Sequence, residues 1–267
     1  MPSAAVNGVR LYYERHGDSG EPLVFVHGYT GDISDWRLQM AEFAGDYRAL
    51  AMDLRGHGKS EAPVDRQLYT VELMTRDVEE LVDIARFERF HLVGHSMGGA
   101  IAQEMALSWP ERLLSLTLVD TALKFSVPAD DPSFQVRAQR LQAALNDGMA
   151  AAAALTSADA PPHMPPERIE ETNQRLARMS LDAFVGAVQG LFGWEGSENR
   201  LPQIRTPTLI IYGELDGPSL VKSSLKMAKL IPNAKLEPIP EASHSPQWER
   251  PELFNAALRR HLEANRG

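Results

Sequence analysis

Short apolar runs rich in valine, isoleucine and leucine alternate along this chain with longer segments of helical period. The runs are Leu23 to His27, Ala49 to Asp53, Phe90 to Gly94, Leu114 to Asp120, Thr208 to Tyr212 and Lys235 to Ile239. Unbroken runs of this kind suit strands buried on both faces, as in a parallel sheet. Between them lie the helical candidates Trp36 to Phe43, Thr70 to Arg86, Met97 to Trp109, Leu220 to Leu230 and Pro251 to Leu262. In the second of these, Thr70 is placed to cap, and Val71, Met74, Val78, Leu81, Val82 and Ala85 repeat on one helical face. Strand–helix alternation specifies an α/β domain with a mostly parallel, doubly wound sheet. The alternating stretch Val9 to Glu14 marks the start of the fold, and 267 residues are enough to bury a large core.

The alternation fails between Ala122 and Leu201. That stretch has helical segments at Phe134–Asn146, Glu167–Met179 and Leu181–Phe192, an alanine-rich run at Ala150–Ala154, and a breaker cluster from Pro161 to Pro166. It leaves the sheet at the carboxyl end of a strand, where open α/β sheets bind ligands. The expected organisation is a core domain made of residues 1–121 and 202–267, with a helical lid, residues 122–201, inserted after the sixth strand.

Composition narrows the function classes. The formal net charge is −9 with no block of Lys and Arg to offset it, which argues against nucleic acid or an anionic membrane surface as a partner. There is no cysteine, so disulfides, a thiolate nucleophile and Cys-ligated metal sites are excluded. No apolar stretch approaches the length of a membrane span, and Met1 to Gly8 lack the basic and apolar regions of a leader. The expected setting is cytoplasmic, and the chain is compatible with a homodimer.

The chemistry-bearing segment is Gly94-His95-Ser96-Met97-Gly98-Gly99, which follows the run Phe90–Val93 and opens the helix from Ala100. It is G-x-S-x-G in its strand–turn–helix context. A nucleophilic serine must project from a tight, strained turn, and side chains two residues either side of it would strike the neighbouring strand and helix. Glycine at 94 and 98 removes those Cβ atoms. A serine hydroxyl needs a base. Of the eight histidines, His244 lies in a loop after the last strand and can reach back over the carboxyl edge. His163, in the proline cluster, and His261, in the terminal helix, read as solvated residues. An acid must orient the imidazole. Asp216, just after Thr208–Ile211, is the first choice, and the order Ser96, Asp216, His244 suits it. Asp120 and Glu214 remain rivals.

Oxyanion donors are expected from the backbone N–H of Met97 and of Tyr29, in the loop His27-Gly28-Tyr29-Thr30-Gly31. Gly28 lets that loop turn closely, and His27 reads as a residue that shapes it. Asp53-Leu54-Arg55-Gly56-His57-Gly58-Lys59-Ser60 lacks phosphate-loop spacing and reads as a structural turn, with Asp53 and Arg55 bonding neighbouring loops. No metal-ligand spacing such as H-E-x-x-H occurs, and neither metal nor cofactor is expected. In the lid, Met149, Phe184, Phe192 and Trp194, with Gly28 from the core, are candidate substrate-binding residues, packing between helices being the competing reading. Arg137, Arg140, Arg168, Arg175 and Arg178 are candidate cations near a substrate carboxylate, but their regular helical spacing reads as a solvated face.

These segments, in this order, resemble the α/β-hydrolase superfamily over nearly the whole chain except the lid. They are similar to small bacterial serine esterases and lactonases, and to related C–C hydrolases and cofactor-free haloperoxidases. The resemblance implies Ser96, Asp216 and His244 as a triad and Tyr29 and Met97 as the oxyanion hole. It implies hydrolysis of a small-molecule carboxylic ester or lactone through an acyl-enzyme on Ser96. Hydrolysis of a C–C bond, or perhydrolysis, by the same triad is the alternative reaction. A hydrolase-fold ligand receptor with negligible turnover is the alternative of another class. The serine at 96 counts against dehalogenation and epoxide opening, where relatives carry aspartate.

Overall fold

The computed structural model describes residues 2–126, 132–158, 160–161 and 164–267, without the side chains of 132–134. Pro162 and His163 of the proline cluster therefore lie outside the described residues. The apolar runs become the strands β3 (Glu21–Val26), β4 (Tyr47–Met52), β5 (Phe90–His95), β6 (Leu113–Val119), β7 (Thr208–Gly213) and β8 (Lys235–Ile239). Every residue of β5 and β6 is buried, as expected of strands covered on both faces. β8 differs: only its last residue is buried, because it is the edge strand, which also explains its tolerance of Pro238. Two strands precede these, β1 (Ser3–Val6) and β2 (Val9–His16), paired antiparallel through a turn at Asn7 and Gly8, both with positive φ.

The eight strands form one sheet in the order β1-β2-β4-β3-β5-β6-β7-β8. From β4 to the β8 edge, neighbouring strands run parallel. Strand order reverses between β3 and β5, so the loops leaving these two adjacent strands open side by side at a topological switch point. Along β3 alternate residues serve opposite cores. Val24 and Val26 pack with α2 (Val71–Ile84) and α3 (Met97–Ser108), while Leu23 and Phe25 pack with α1 (Arg37–Phe43) and α10 (Pro251–Glu263). The short α9 (Pro246–Glu249) precedes α10, and α8 (Pro218–Leu230) links β7 to β8. In α2 the Thr70 hydroxyl accepts from the Leu73 N–H at 3.2 Å, and Val71, Met74, Val78, Leu81 and Val82 are buried as their spacing requires.

Between β6 and β7 the chain forms α4 (Pro132–Asp147), α5 (Met149–Ala158), α6 (Pro166–Arg178) and α7 (Leu181–Gly193). The alanine-rich run is the interior of α5, whose Ala152 and Ala153 pack with Ala144, Met149, Leu176, Phe184 and Val185 in a core of the insertion's own. The two ends of the insertion are joined: the Ser197 N–H donates to the Leu123 carbonyl at 2.9 Å, and the Ser197 hydroxyl bonds Gln103 on α3. Beside it, Trp194 Nε1 donates to Glu104 at 2.7 Å, and Arg200 pairs with the same carboxylate. Among the described residues, no helix is long and apolar enough to cross a membrane.

Candidate active site

Ser96 sits at the N-cap of α3 with φ 52° and ψ −113°, a conformation that strains any residue with a side chain by about 1–3 kcal/mol. The glycines around it make that turn feasible. A Cβ on Gly98 would lie 2.4 Å from the Val26 carbonyl oxygen, and one on Gly94 would lie 2.3 Å from the Gly98 carbonyl oxygen. Strand and helix therefore approach more closely than any other residue permits.

The turn aims Ser96 at the loop after β8. Ser96 Oγ lies 3.1 Å from His244 Nε2, and His244 Nδ1 lies 2.9 Å from Asp216 Oδ2. With Asp216 as acceptor, Nδ1 carries the proton and Nε2 presents its lone pair to the hydroxyl. Burial lowers the affinity of His244 for a proton, but the Asp216 carboxylate outweighs it and holds the imidazole pKa above its ordinary value. Burial likewise raises the Asp216 carboxyl, and the facing His244 brings it below the usual range.

Of the rival acids, Glu214 is exposed. Asp120 lies beside Asp216, and oxygens of both carboxyls and a nitrogen of His244 fall within 4.8 Å of one another. Asp120 Oδ1 accepts from the Gly213 N–H at 3.0 Å. Burial, reinforced by the charge of Asp216, pushes the Asp120 carboxyl well above the usual range. The trio is spaced as metal ligands are, but His244 has both ring nitrogens engaged in this arrangement.

Gly28 and Tyr29 leave β3 directly beside the serine; a Cβ on Gly28 would lie 3.1 Å from Ser96 Cβ. Among the described residues neither the Tyr29 nor the Met97 backbone N–H has an acceptor. His27 shapes this loop: Nδ1 donates to the Gly28 carbonyl at 2.7 Å and Nε2 accepts from the Leu54 N–H at 3.0 Å. Asp53 accepts from the Ile33 and Lys59 N–H groups, and Arg55 makes a two-pronged pair with buried Asp77, so the turn from 53 to 60 is structural.

Two cavities meet at Ser96, Tyr29, Thr30, Arg140, Thr156 and His244. One, about 240 Å³, runs under α6 and is lined by Asp35, Arg140, Arg168 and Arg175 together with apolar residues such as Met164 and Ile169. The other, about 540 Å³, has Phe125, Phe184, Val188, Leu191 and Phe192 in its wall, together with Arg137, Arg140 and Asp216. Gly28 borders the first and Phe184 and Phe192 the second. Met149 and Trp194 border neither. Met149 is consumed in the insertion's core, and Trp194 is held by Glu104 at the insertion's root.

The arginines depart from the expected solvated face. Only Arg178 is exposed. Arg168 and Arg175 turn inward to share the buried Asp35, Arg175 Nη1 lying 2.8 Å from it. Burial pushes the Asp35 carboxyl up, yet Arg175 and Arg168 outweigh it and hold it well below the usual range. The signal was present in the sequence: Arg168, Ile169, Thr172, Arg175 and Leu176 occupy one helical stripe, so the arginines replace core positions. His261 is a second correction. It is buried at 4% exposure because α10 packs it against the sheet, and burial lowers its pKa to about 4. A third residue lacked any local signal: His95 Nε2 donates to the His244 carbonyl at 2.7 Å and so braces the loop that carries His244.

A core strand, a strained turn and a serine–histidine–carboxylate alignment at the switch point define a hydrolase of the α/β type. Residues 21–251 match the family described as alpha/beta hydrolase fold, and the chain belongs to that family. It is 30% identical over 255 residues to 3-oxoadipate enol-lactonase 2 of Acinetobacter baylyi, covering 94% of this chain and 92% of the relative. Among solved structures, the enol-lactonase from Burkholderia xenovorans LB400 superposes with a TM-score of 0.89 at 27% identity, over 98% of this chain and 100% of that one. A thermophilic esterase from Thermogutta terrifontis, solved with malate bound, gives 0.88 at 26% identity over the full length of both chains.

Proposed function

We propose that this protein hydrolyses carboxylic esters or lactones through an acyl-enzyme on Ser96. The observation that carries the reading is the continuous alignment Ser96 Oγ–His244 Nε2–Asp216 Oδ2, at 3.1 and 2.9 Å, beside two backbone N–H groups without an acceptor among the described residues. In the forward step His244 takes the Ser96 proton as Oγ attacks the carbonyl carbon. The oxyanion forms against the Tyr29 and Met97 N–H groups, each worth about 3–4 kcal/mol of barrier. His244 then returns the proton to the departing alkoxide. Water, deprotonated by the same nitrogen, releases the acid and restores the serine. Asp216 holds the ring tautomer and stabilises the imidazolium throughout.

The helices α4–α7 serve in this reading as a lid over both cavities, and the similarity to an enol-lactonase and an esterase supports ester or lactone bonds as the target. The test is turnover of short p-nitrophenyl esters and simple lactones by the wild type and by Ser96→Ala. Turnover should vanish in the variant while its circular dichroism is retained, and the wild type treated with a p-nitrophenyl phosphonate should gain mass on Ser96. Unchanged ester turnover by Ser96→Ala would sink the proposal.

A further inference from the structure

Glu249, the last residue of α9, turns its carboxylate back onto the loop that carries His244. The Ser243 N–H donates to Oε2 and the Ser245 N–H to Oε1, both at 2.8 Å, and the Ser243 hydroxyl lies 2.8 and 2.9 Å from the two oxygens. One carboxylate thus holds the residues on either side of His244 by charge-assisted bonds, roughly twice as strong as neutral ones. Capping α9 would need only the N–H of Ser245, its N-cap residue. The bonds to Ser243 reach back across His244 and serve no helix end. Glu249 is itself fixed, because its N–H and that of Trp248 donate to the Ser245 carbonyl at 2.9 and 2.8 Å.

The rest of the loop is tied to the two strand ends beside it. The His244 carbonyl accepts from His95, the residue before Ser96, and the Ala242 carbonyl accepts at 2.8 Å from the N–H of Leu215, the residue before Asp216. A Cβ on Gly213 would lie 2.0 Å from the Ser243 carbonyl oxygen, so the loop lies directly on the end of β7. With its neighbours and its own carbonyl held, His244 keeps only its side-chain torsions. The direction of the imidazole then follows from where the backbone is fastened, and proton transfer is sensitive to that direction, a displacement of about 1 Å costing about 10²-fold in rate.

We infer that Glu249 is a positioning residue for the base: by gripping Ser243 and Ser245 it fixes the line from His244 to Ser96 and Asp216. The inference rests on the Ser96 hydrolase reading and adds a residue to its machinery that touches none of the reacting atoms.

Turnover of p-nitrophenyl acetate by Glu249→Gln tests it, with kcat expressed per site titrated by the p-nitrophenyl phosphonate. Glutamine keeps the size but offers one acceptor oxygen and no charge. kcat and kcat/KM should fall together by roughly 10- to 100-fold, with KM unchanged within about twofold. The acid limb of kcat/KM should also move to lower pH. Burial lowers the proton affinity of His244, Asp216 raises it, Arg137 opposes that rise and Glu249 adds to it, while Asp120 and His95 also stand beside the ring. Loss of Glu249 therefore removes one raising charge and loosens the bond to Asp216. A merely structural role would reduce the number of titrated sites and leave kcat per site and the limb where they were. Ser243→Ala deletes only the hydroxyl contacts and decides the matter should Glu249→Gln fail to fold; its kcat should fall by about three- to tenfold. Glu241→Gln, an exposed carboxylate of the same loop paired with Arg250, should behave as the wild type. Unchanged kcat per site in Glu249→Gln or in Ser243→Ala, a limb that stays in place, or an equal loss in Glu241→Gln overturns the role of Glu249 and leaves that of Ser96 standing. A wild type that turns over no ester and gains no mass on Ser96 overturns the hydrolase reading and this inference with it.

Discussion

Asp216 and Asp120 are neighbouring carboxyls shifted in opposite directions: burial raises both, and Asp216 has the facing His244 to bring it down. In the proposed reaction His244 is the base, and its raised pKa should set the acid limb of activity. Only the neutral ring is a base, so kcat/KM should be full above that pKa and fall as pH drops through it, with a midpoint above the ordinary 6.5. Asp216→Asn removes the charge that raises it. The limb should move to lower pH, and the rate on the alkaline plateau should fall by about 10⁴-fold; a limb that stays in place would show that another group titrates. That Ser96, His244 and Asp216 come together was legible from local signals: a glycine-flanked turn, a loop after the last strand, and a strand end in the right chain order. Asp120 against Asp216 was not separable locally, since both follow strands in the same sheet edge. Their division of labour depends on depth, which only the folded chain sets. His261 misled for the same reason: a helical position says which face a residue occupies but not what packs there.

At the scale of elements, α6 is attached to the core chiefly through charge. Asp35, in the short turn before α1, receives both Arg168 and Arg175, and Arg37 pairs with Glu171 across the same junction. Asp35→Ala leaves two inward arginines without their shared partner. Breaking a buried pair in this way costs about 3–5 kcal/mol locally. Hydrogen exchange in α6 should accelerate strongly while β5 and β6 stay protected; uniform loss of protection would mean that Asp35 supports the whole domain. At the serine turn, Gly98→Ala drives a methyl to 2.4 Å from the Val26 carbonyl. It should lower stability by about 1–3 kcal/mol and activity with it, read from urea midpoints and ester turnover. The core helices and buried strands were readable from periodicity. Two elements were not: β1, whose Asn7-Gly8 hairpin signal is brief, and α5, whose alanines have high propensity but no amphipathic stripe.

For the molecule as a whole, alternation announced a doubly wound sheet, but strand order and the switch point emerge only from pairing between distant segments. Burial of histidines gives the fold a shared acid sensitivity. Desolvation lowers His57 to about 3 and His95 and His261 to about 4, against 6.5 when exposed. Between these values the unfolded chain binds more protons than the native one, so stability is complete above about pH 6.5 and is lost as pH falls towards 4. Each group contributes on the order of a few kcal/mol. Urea midpoints should be flat from pH 8 to 7 and decline steeply below 6; a flat profile to pH 4.5 would refute it. One further property follows from the hydrogen bond between Leu123 and Ser197. That bond joins the two ends of the helical insertion, which in the lid reading we propose makes the insertion a candidate for exchange. Chimeras that import the corresponding segment of another family member would leave Ser96 in its turn and Asp216 and His244 in the loops after β7 and β8, and under the proposed function they should change ester selectivity while keeping turnover.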